Sequence, residues 1–284
     1  MLLAVRLSVV IITYNEEANI GSTLQSVQPL VNGGQGEIIV VDSGSTDKTV
    51  GIAESYGAKV FIEEWKGYAA QKNSAIEKAA GNWILSLDAD ESLEPDLAQL
   101  IAGNHSLPAV GSPEWCLAVE LAGQTVANLP LVKGETAGFW FPRKNFFLGR
   151  WIKHGGFWPD QKLRLFRRGK GRFQDAPVHE TIEIEGPTLT LHYALLHHSY
   201  PTLSDYIDHM NRYSSLGAEM AAAKGQHGNL INIAIRPWLT FLYNYFFRLG
   251  FLDGREGLLL HLYHAVYVSW KYAKLWELKS RKES

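Results

Sequence analysis

Along the first hundred residues, short apolar runs alternate with longer stretches whose apolar residues recur at helical spacing. Leu7–Thr13 is a continuous, β-branched run, and Glu37–Val41, Lys59–Ile62 and Trp83–Leu87 are shorter runs of the same kind. Between them the pattern predicts a helix to about Val27, a second over Lys48–Tyr56 with Gly57 as its stop, and a third from about Tyr68 to Ala80, stopped by Gly81. Strands without a polar face, alternating with helices, predict a parallel sheet covered on both sides. In such sheets ligands gather beyond the carboxyl ends of the strands. Three polar clusters fall there: Thr13–Glu17, Asp42–Asp47 and Asp88–Glu91. One carboxylate-rich site built from three strand ends is therefore expected.

The two ends of the chain carry different signals. Leu7–Ile12 leads straight into Thr13-Tyr14-Asn15-Glu16-Glu17 without a small-residue cleavage site, so it is expected to be a buried strand rather than a secretion signal, in a cytoplasmic protein. From Asn229 to Leu278 the sequence is strongly aromatic and aliphatic. A spanning helix needs ~20 largely apolar residues. Here Arg236, Pro237 and Arg248 interrupt the first run, and Asp253, Arg255 and Glu256 precede the second. Amphipathic helices lying in a membrane interface fit this pattern, with a buried helical cap or an oligomer contact as the alternatives.

Composition narrows the class. With 284 residues, 46% hydrophobic, 20% charged and a net charge of −2, the chain can bury a full core. It is neither disordered nor a generally basic nucleic-acid binder. A single cysteine, Cys116, excludes an intramolecular disulfide framework. Nine tryptophans and twelve tyrosines call for a cavity, an interface or a membrane surface. The charge is unevenly laid out: residues 1–128 carry 16 acidic and 6 basic residues, and residues 129–172 carry 11 basic and 2 acidic. That basic stretch is interleaved with Trp140, Phe141, Phe146, Phe147, Trp151, Phe157 and Trp158, as suits an anionic partner or a solvated face.

Asp88-Ala89-Asp90, just after a buried strand, suits a hard divalent cation, which would offset the charge of a diphosphate leaving group. Asp90 or Ser92 as a helix cap is the plainer reading. Asp42 and its Ser-Gly-Ser-Thr-Asp neighbours can hydrogen-bond a base or ribose, while Asp47 can instead cap the helix that begins there. The chain has no G-x-x-x-x-G-K-[ST], no G-x-G-x-x-G after the first strand and no G-x-S-x-G.

Val9–Glu17, Ile39–Asp47 and Ile84–Glu91, with Gln71-Lys72-Asn73, Phe157–Phe166, Val178-His179-Glu180 and Gly250-Phe251-Leu252-Asp253-Gly254, together resemble the ordered signatures of family 2 glycosyltransferases. The subgroup is similar to lipopolysaccharide-core β-glucosyltransferases. The resemblance implies an α/β GT-A fold, with a Rossmann-like, mostly parallel sheet and helices on both faces, followed here by C-terminal amphipathic helices. It implies a glycosyltransferase domain over 1–225, divided near 105 into a nucleotide half and an acceptor half, and a membrane-associating or oligomerising segment over 226–284.

It also implies inverting transfer of a hexose, such as glucose from UDP-glucose, with Mg²⁺ or Mn²⁺ as cofactor. The acceptor is expected to be a lipid-linked saccharide such as lipopolysaccharide core, met at the inner face of the cytoplasmic membrane. By motif, Thr13, Tyr14, Glu16 and Asp42 line the base pocket, Lys72 lies near the donor, Asp88 faces the ribose or a metal-bound water, and Asp90 ligates the metal. Ser43 stands where many relatives have a second acid. Asp160 precedes Leu163 and Arg164 at the spacing of the family's catalytic base, although Pro159 replaces the first acid of the usual pair. Arg164 and Glu180 are expected to hold diphosphate or acceptor, and His179 to be a further metal ligand. His192, His197, His198, His261 and His264 lack ligand spacing and read as core or interfacial. A polyprenyl-phosphate glycosyltransferase and a non-catalytic binder of nucleotide sugars or lipids are the rival readings.

Overall fold

A computed structural model of the chain describes residues 7–32, 36–102, 112–114, 116–117, 136–174 and 181–283. The expected alternation of strand and helix is present. Strand β1 (Leu7–Thr13) is followed by α1 (Ile20–Val31), β2 (Gly36–Asp42), α2 (Thr49–Ser55), β3 (Lys59–Ile62), α3 (Tyr68–Glu77) and β4 (Trp83–Asp88). β1 lies between β2 and β4, parallel to both. The register carries the functional consequence: Thr13 stands opposite Asp42, and Ile12 opposite Asp88, so three polar strand ends come level along one edge.

Alternation along these strands sends side chains into two cores. Leu7, Val9, Ile11, Ile38, Val40, Leu85 and Leu87 pack with α1 on one face, and Val10, Ile39, Val41 and Ile84 pack with Ala75 and Ala79 on the other. Both faces of the sheet are covered, as parallel strands require. Two helix ends differ from expectation. α1 continues past Pro29 to Val31 because Leu30 is buried in the core, and packing there overrides the proline. α3 ends at Glu77, short of Ala80, because the chain turns to bond elsewhere. The Ala80 N–H donates to Glu37 Oε1 at 2.7 Å and the Gly81 N–H to Ser8 Oγ at 2.8 Å.

β5 (Glu91–Leu93) follows β4 directly, so Asp90 and Ser92 cap no helix; α4 begins only at Pro95 and runs to Ile101. β6 (Gly138–Phe147), β7 (Arg150–Trp151), β8 (Asp160–Arg167), the paired β9 (Gly171–Gln174) and β10 (Thr181–Ile184), β11 (Thr188–Thr190) and β12 (Leu195–Tyr200) follow. The main sheet has the order β3-β2-β1-β4-β8-β6-β12-β5, with β8 antiparallel to β4 and β12 antiparallel to β5.

The described chain forms two compact units. The first holds the residues up to Arg143 with 161–174 and 181–197; the second holds 144–160 and 198–283. In the second, β7 pairs with the end of β6. Helix α5 (Leu203–Ala223) starts from a Thr202–Asp205 capping box. A π-helical turn (Ile231–Ile235), α6 (Arg236–Leu242), a second π-helical turn (Tyr243–Phe247), a 3₁₀ turn (Gly250–Asp253) and α7 (Gly254–Glu283) complete it. Ala218 and Ala221 of α5 meet Tyr272 and Leu275 of α7, while Phe147, Ile152, Tyr206 and Leu260 form a separate small core. No helix among the described residues is long and apolar enough to cross a membrane.

Candidate active site

The loops after β1 and β2 are fastened to each other. The Ser43 N–H donates to the Thr13 carbonyl at 2.9 Å. The Asn15 N–H donates to Ser45 Oγ at 2.8 Å, and Asn15 Oδ1 accepts from the Thr46 N–H at 2.8 Å. The Glu16 N–H donates to Thr49 Oγ1 at 2.8 Å, and Glu17 exchanges bonds with the 47–48 turn. Asn15 sits at φ 53°, a left-handed conformation that asparagine tolerates better than most residues. Gly44, at φ 87°, has open space around it, so its role is conformational. Asp42 is fully buried and holds this loop from below, accepting from the Gly44 and Ser45 N–H groups at 2.9 and 2.8 Å. Asp47, one residue before the Lys48 cap position, accepts from the Thr49 N–H at 3.0 Å, so it bonds the first turn of α2 without being its cap residue.

On this scaffold Tyr14 is exposed, whereas the buried Thr13 Oγ1 and Ser43 Oγ have no hydrogen-bond partner among the described residues. Buried hydroxyls are rarely left so, and two of them at neighbouring strand ends are ready donors and acceptors for a ligand. Burial raises the Glu16 carboxyl above its ordinary value; a hydrogen bond from Asn19 opposes this, and the negative fields of Asp90, Asp47 and Asp88 add to it. The three strand ends therefore share one electrostatic environment.

Beside them lies a buried ion cluster. Lys72 Nζ is 2.7 Å from Asp88 Oδ1, and Arg164 Nη2 is 2.6 Å from Asp88 Oδ2. Arg164 also grips Glu91 with two nitrogens, Nε and Nη2, each at 2.8 Å. Arg143 Nη1 reaches the same Glu91 at 2.8 Å. Glu91 is 0% exposed. Burial alone would raise both carboxyls, but Arg164 with Lys72 holds Asp88 far below the usual range, and Arg164 with Arg143 holds Glu91 at about 2. Here the acidic surplus of the first part of the chain meets the basic surplus of the next. Glu91 belongs to the expected Asp88–Glu91 cluster, but its pairing with Arg143 and Arg164, and that of His197 with Asp90, have no signal in the sequence. His197 Nε2 lies 3.1 Å from Asp90 Oδ2.

Asp160, in the second unit, opens β8, and the Asn145 amide Nδ2 is 3.2 Å from its Oδ2. His179 and Glu180 lie outside the described residues. For a divalent cation, Asp90 offers a hard carboxylate oxygen suited to Mg²⁺ or Mn²⁺, with the His197 imidazole beside it. Both Asp88 oxygens are engaged by cations, which suits Asp88 to an outer contact rather than direct ligation. Among the described residues no three His, Cys, Asp or Glu side chains gather as a complete cage.

A doubly covered α/β sheet with a polar site along its strand ends is the arrangement of the GT-A fold. Residues 8–170 match the model for glycosyl transferase family 2, and the chain belongs to that family. It is 32% identical to LpsC, a lipopolysaccharide core biosynthesis glycosyltransferase of Rhizobium meliloti, over 97% of this chain and 94% of the relative. An uncharacterized glycosyltransferase of Rickettsia typhi is 28% identical over 97% of this chain and 89% of its own. The mannosyltransferase PcManGT of Pyrobaculum calidifontis, solved with GDP-Man and Mn²⁺, shares the fold. Its TM-score is 0.51 at 15% identity, covering 95% of this chain and 86% of that one. The protein is a glycosyltransferase.

Proposed function

We propose that this enzyme moves a hexose, glucose in the first instance, from a UDP-sugar to a lipid-linked saccharide of the lipopolysaccharide-core kind, with inversion. The observation that carries the reading is the 32% identity to LpsC along nearly the whole of both chains. The donor half is supported by the strand ends, where Thr13, Tyr14 and Ser43 offer groups to the base beside Glu16 and above Asp42. Lys72 and Asp88 border the ribose and diphosphate.

In transfer, an acceptor hydroxyl oxygen forms a bond to the anomeric carbon as the bond from that carbon to the diphosphate breaks, and the nucleoside diphosphate leaves. Asp160 takes the hydroxyl proton as general base. Asp90, with His197 beside it, is the proposed holder of Mg²⁺ or Mn²⁺; when bound, the ion supplies charge stabilisation to the leaving diphosphate. Arg164 acts on the diphosphate through Asp88. Residues 226–284 are the proposed membrane-associating segment, which would hold the enzyme on the inner face of the cytoplasmic membrane.

Calorimetric titration of UDP, GDP, ADP and TDP, with Mn²⁺ and then with EDTA, tests the donor and metal assignments. UDP is expected to bind preferentially and with metal, and Asp90→Ala to lose the metal-supported part. Equal binding in EDTA would remove the metal role, and tight ADP binding would redirect the search to ADP-linked sugars. Transfer that survives Asp160→Asn would point to an acceptor that is already an anion, such as a polyprenyl phosphate.

A further inference from the structure

The Gly250–Asp253 turn belongs to the second unit, and its carboxylate is turned toward one particular loop. Asp253 is 2% exposed and stands where the 3₁₀ turn passes into α7. Its Oδ2 accepts from the His154 backbone N–H at 2.8 Å, its Oδ1 accepts from the Lys153 N–H at 3.2 Å, and Oδ1 lies 3.0 Å from His154 Nδ1. The next residue is fixed as well, because the Gly155 N–H donates to the Arg248 carbonyl at 2.9 Å. Gly155 and Gly156 have φ of 66° and 90°. A Cβ on the first would overlap the His261 ring, and one on the second the Arg248 guanidinium. The loop backbone therefore lies directly against the 248–261 segment, held by hydrogen bonds and by the absence of space.

From this anchorage the bonds run on to Asp160. The Phe157 N–H donates to the His154 carbonyl at 3.2 Å. The Asn145 side-chain amide donates to the Phe157 carbonyl at 3.4 Å and to Asp160 Oδ2 at 3.2 Å, and the Asn145 carbonyl accepts from the Ile152 N–H at 3.0 Å. A buried carboxylate is costly unless fully bonded. Asp253 makes its bonds to a loop a hundred residues away in sequence, and that loop ends at the residue assigned as base. Removing the carboxylate frees the loop at its bonded centre, on the Phe157 side of the Asn145 bond to Asp160.

We infer that Asp253 is a positioning residue for sugar transfer: it fixes the His154–Phe157 loop and, through Asn145, the direction of the Asp160 carboxylate. The inference rests on Asp160 being the base. The test uses the full chain and compares Asp253→Ala, Asp253→Asn and Asp160→Asn by initial rates against donor and acceptor, each variant checked by thermal unfolding. Displacing a catalytic group by ~1 Å can cost ~100-fold. Asp253→Ala is expected to lower kcat by about 10- to 100-fold with donor KM within about twofold, since uniform donor binding is untouched. Asp253→Asn keeps one oxygen for a loop N–H and is expected to recover most of that loss. If Asp253→Ala does not fold, His154→Ala, which removes only the imidazole contact, is expected to lower kcat about threefold at unchanged donor KM.

Wild-type kcat in Asp253→Ala, with Asp160→Asn inactive, would overturn the positioning role and leave the base assignment standing. Full activity in Asp160→Asn would overturn the base assignment and this inference together. Equal losses in Asp253→Ala and Asp253→Asn, with donor KM raised in both, would mean a general structural role and would also overturn it.

Discussion

The strand ends of the first unit and the 230–252 segment of the second use their side chains in opposite ways. At the strand ends charges are buried and paired atom to atom, so Glu91 meets two arginines while Asp88 meets a lysine and an arginine. In the 230–252 segment large apolar groups face outward. Phe247 is 79% exposed, Trp238 64% and Leu230 82%, with Leu239, Tyr243, Phe246 and Leu252 also exposed. That segment contains Arg236 and Arg248 and no acidic residue. The first arrangement places polar atoms for a small anionic ligand. The second presents hydrocarbon and cations at the surface, the chemistry that the proposed membrane-associating role requires of a face meeting anionic lipid. One region depends on geometry, the other on composition.

The contrast breaks first at Glu91. Removing one partner of a buried ion pair strands the other charges and costs roughly 3–5 kcal/mol. Glu91→Ala is therefore expected to lower unfolding free energy by about that amount in urea denaturation, because it removes the buried carboxylate that Arg143 and Arg164 share. A loss below about 1 kcal/mol would mean that water already solvates the cluster.

Acid should reach the same cluster without mutation. The Glu91 carboxyl is depressed from 4.5 to about 2, and Asp88 moves in the same direction. A carboxyl depressed on folding contributes stability that is complete above its unfolded value and is lost as pH falls through the folded one. Stability is expected to fall between about pH 4.5 and 2, and less steeply in Glu91→Ala. Identical pH profiles for both proteins would remove Glu91 as the source.

The second region should respond in the reverse sense. Trp238→Ser and Phe247→Ser are expected to leave thermal stability nearly unchanged, since these side chains are already in water. Full burial of such a side chain is worth roughly 1.5–3 kcal/mol, so each change should weaken retention on phosphatidylglycerol-containing vesicles by about tenfold or more. Unchanged vesicle binding would defeat the membrane reading. A fall in oligomer mass in the same variants would identify a second copy as what covers this face.

The two regions were also unequally legible in the sequence. β1 has the limits its apolar run predicts, because a strand buried on both faces leaves an unbroken signal; β3 has them too, although it is an edge strand with Phe61 and Ile62 exposed. Asp88 and Asp90 stood out because two acids directly follow such a run. Glu91 did not, being adjacent to a more familiar pair, and its partners Arg143 and Arg164 lie about 50 and 70 residues away, a distance no local pattern spans. His197 reads as core or interfacial for the same reason: only the sheet brings β12 to Asp90. The aromatic C-terminal segment was plain from composition, yet its interruption by π-helical turns was not, since periodicity near 3.6 does not distinguish them.

The smallest predicted effect separates the two uses of a side chain most cleanly, because it should have opposite signs in the empty and the bound enzyme. Ser43 Oγ is a buried hydroxyl without a partner among the described residues, next to the Thr13 carbonyl that accepts its own N–H. A buried hydroxyl with no bond destabilises the fold, so Ser43→Ala should leave unfolding free energy unchanged or raise it by about 0.5–1 kcal/mol. If the hydroxyl meets the donor nucleotide, the same substitution should weaken UDP binding by about 0.5–1.5 kcal/mol, the net value of one neutral hydrogen bond, measured calorimetrically in Mn²⁺. Thr13→Val should behave alike, since it removes the second orphaned hydroxyl while keeping the β-branched shape. A loss of stability with intact UDP affinity would mean that the hydroxyl serves the loop and not the ligand. Gain in the one measurement with loss in the other is what a group held ready for a donor predicts, and a packing role produces no such pair.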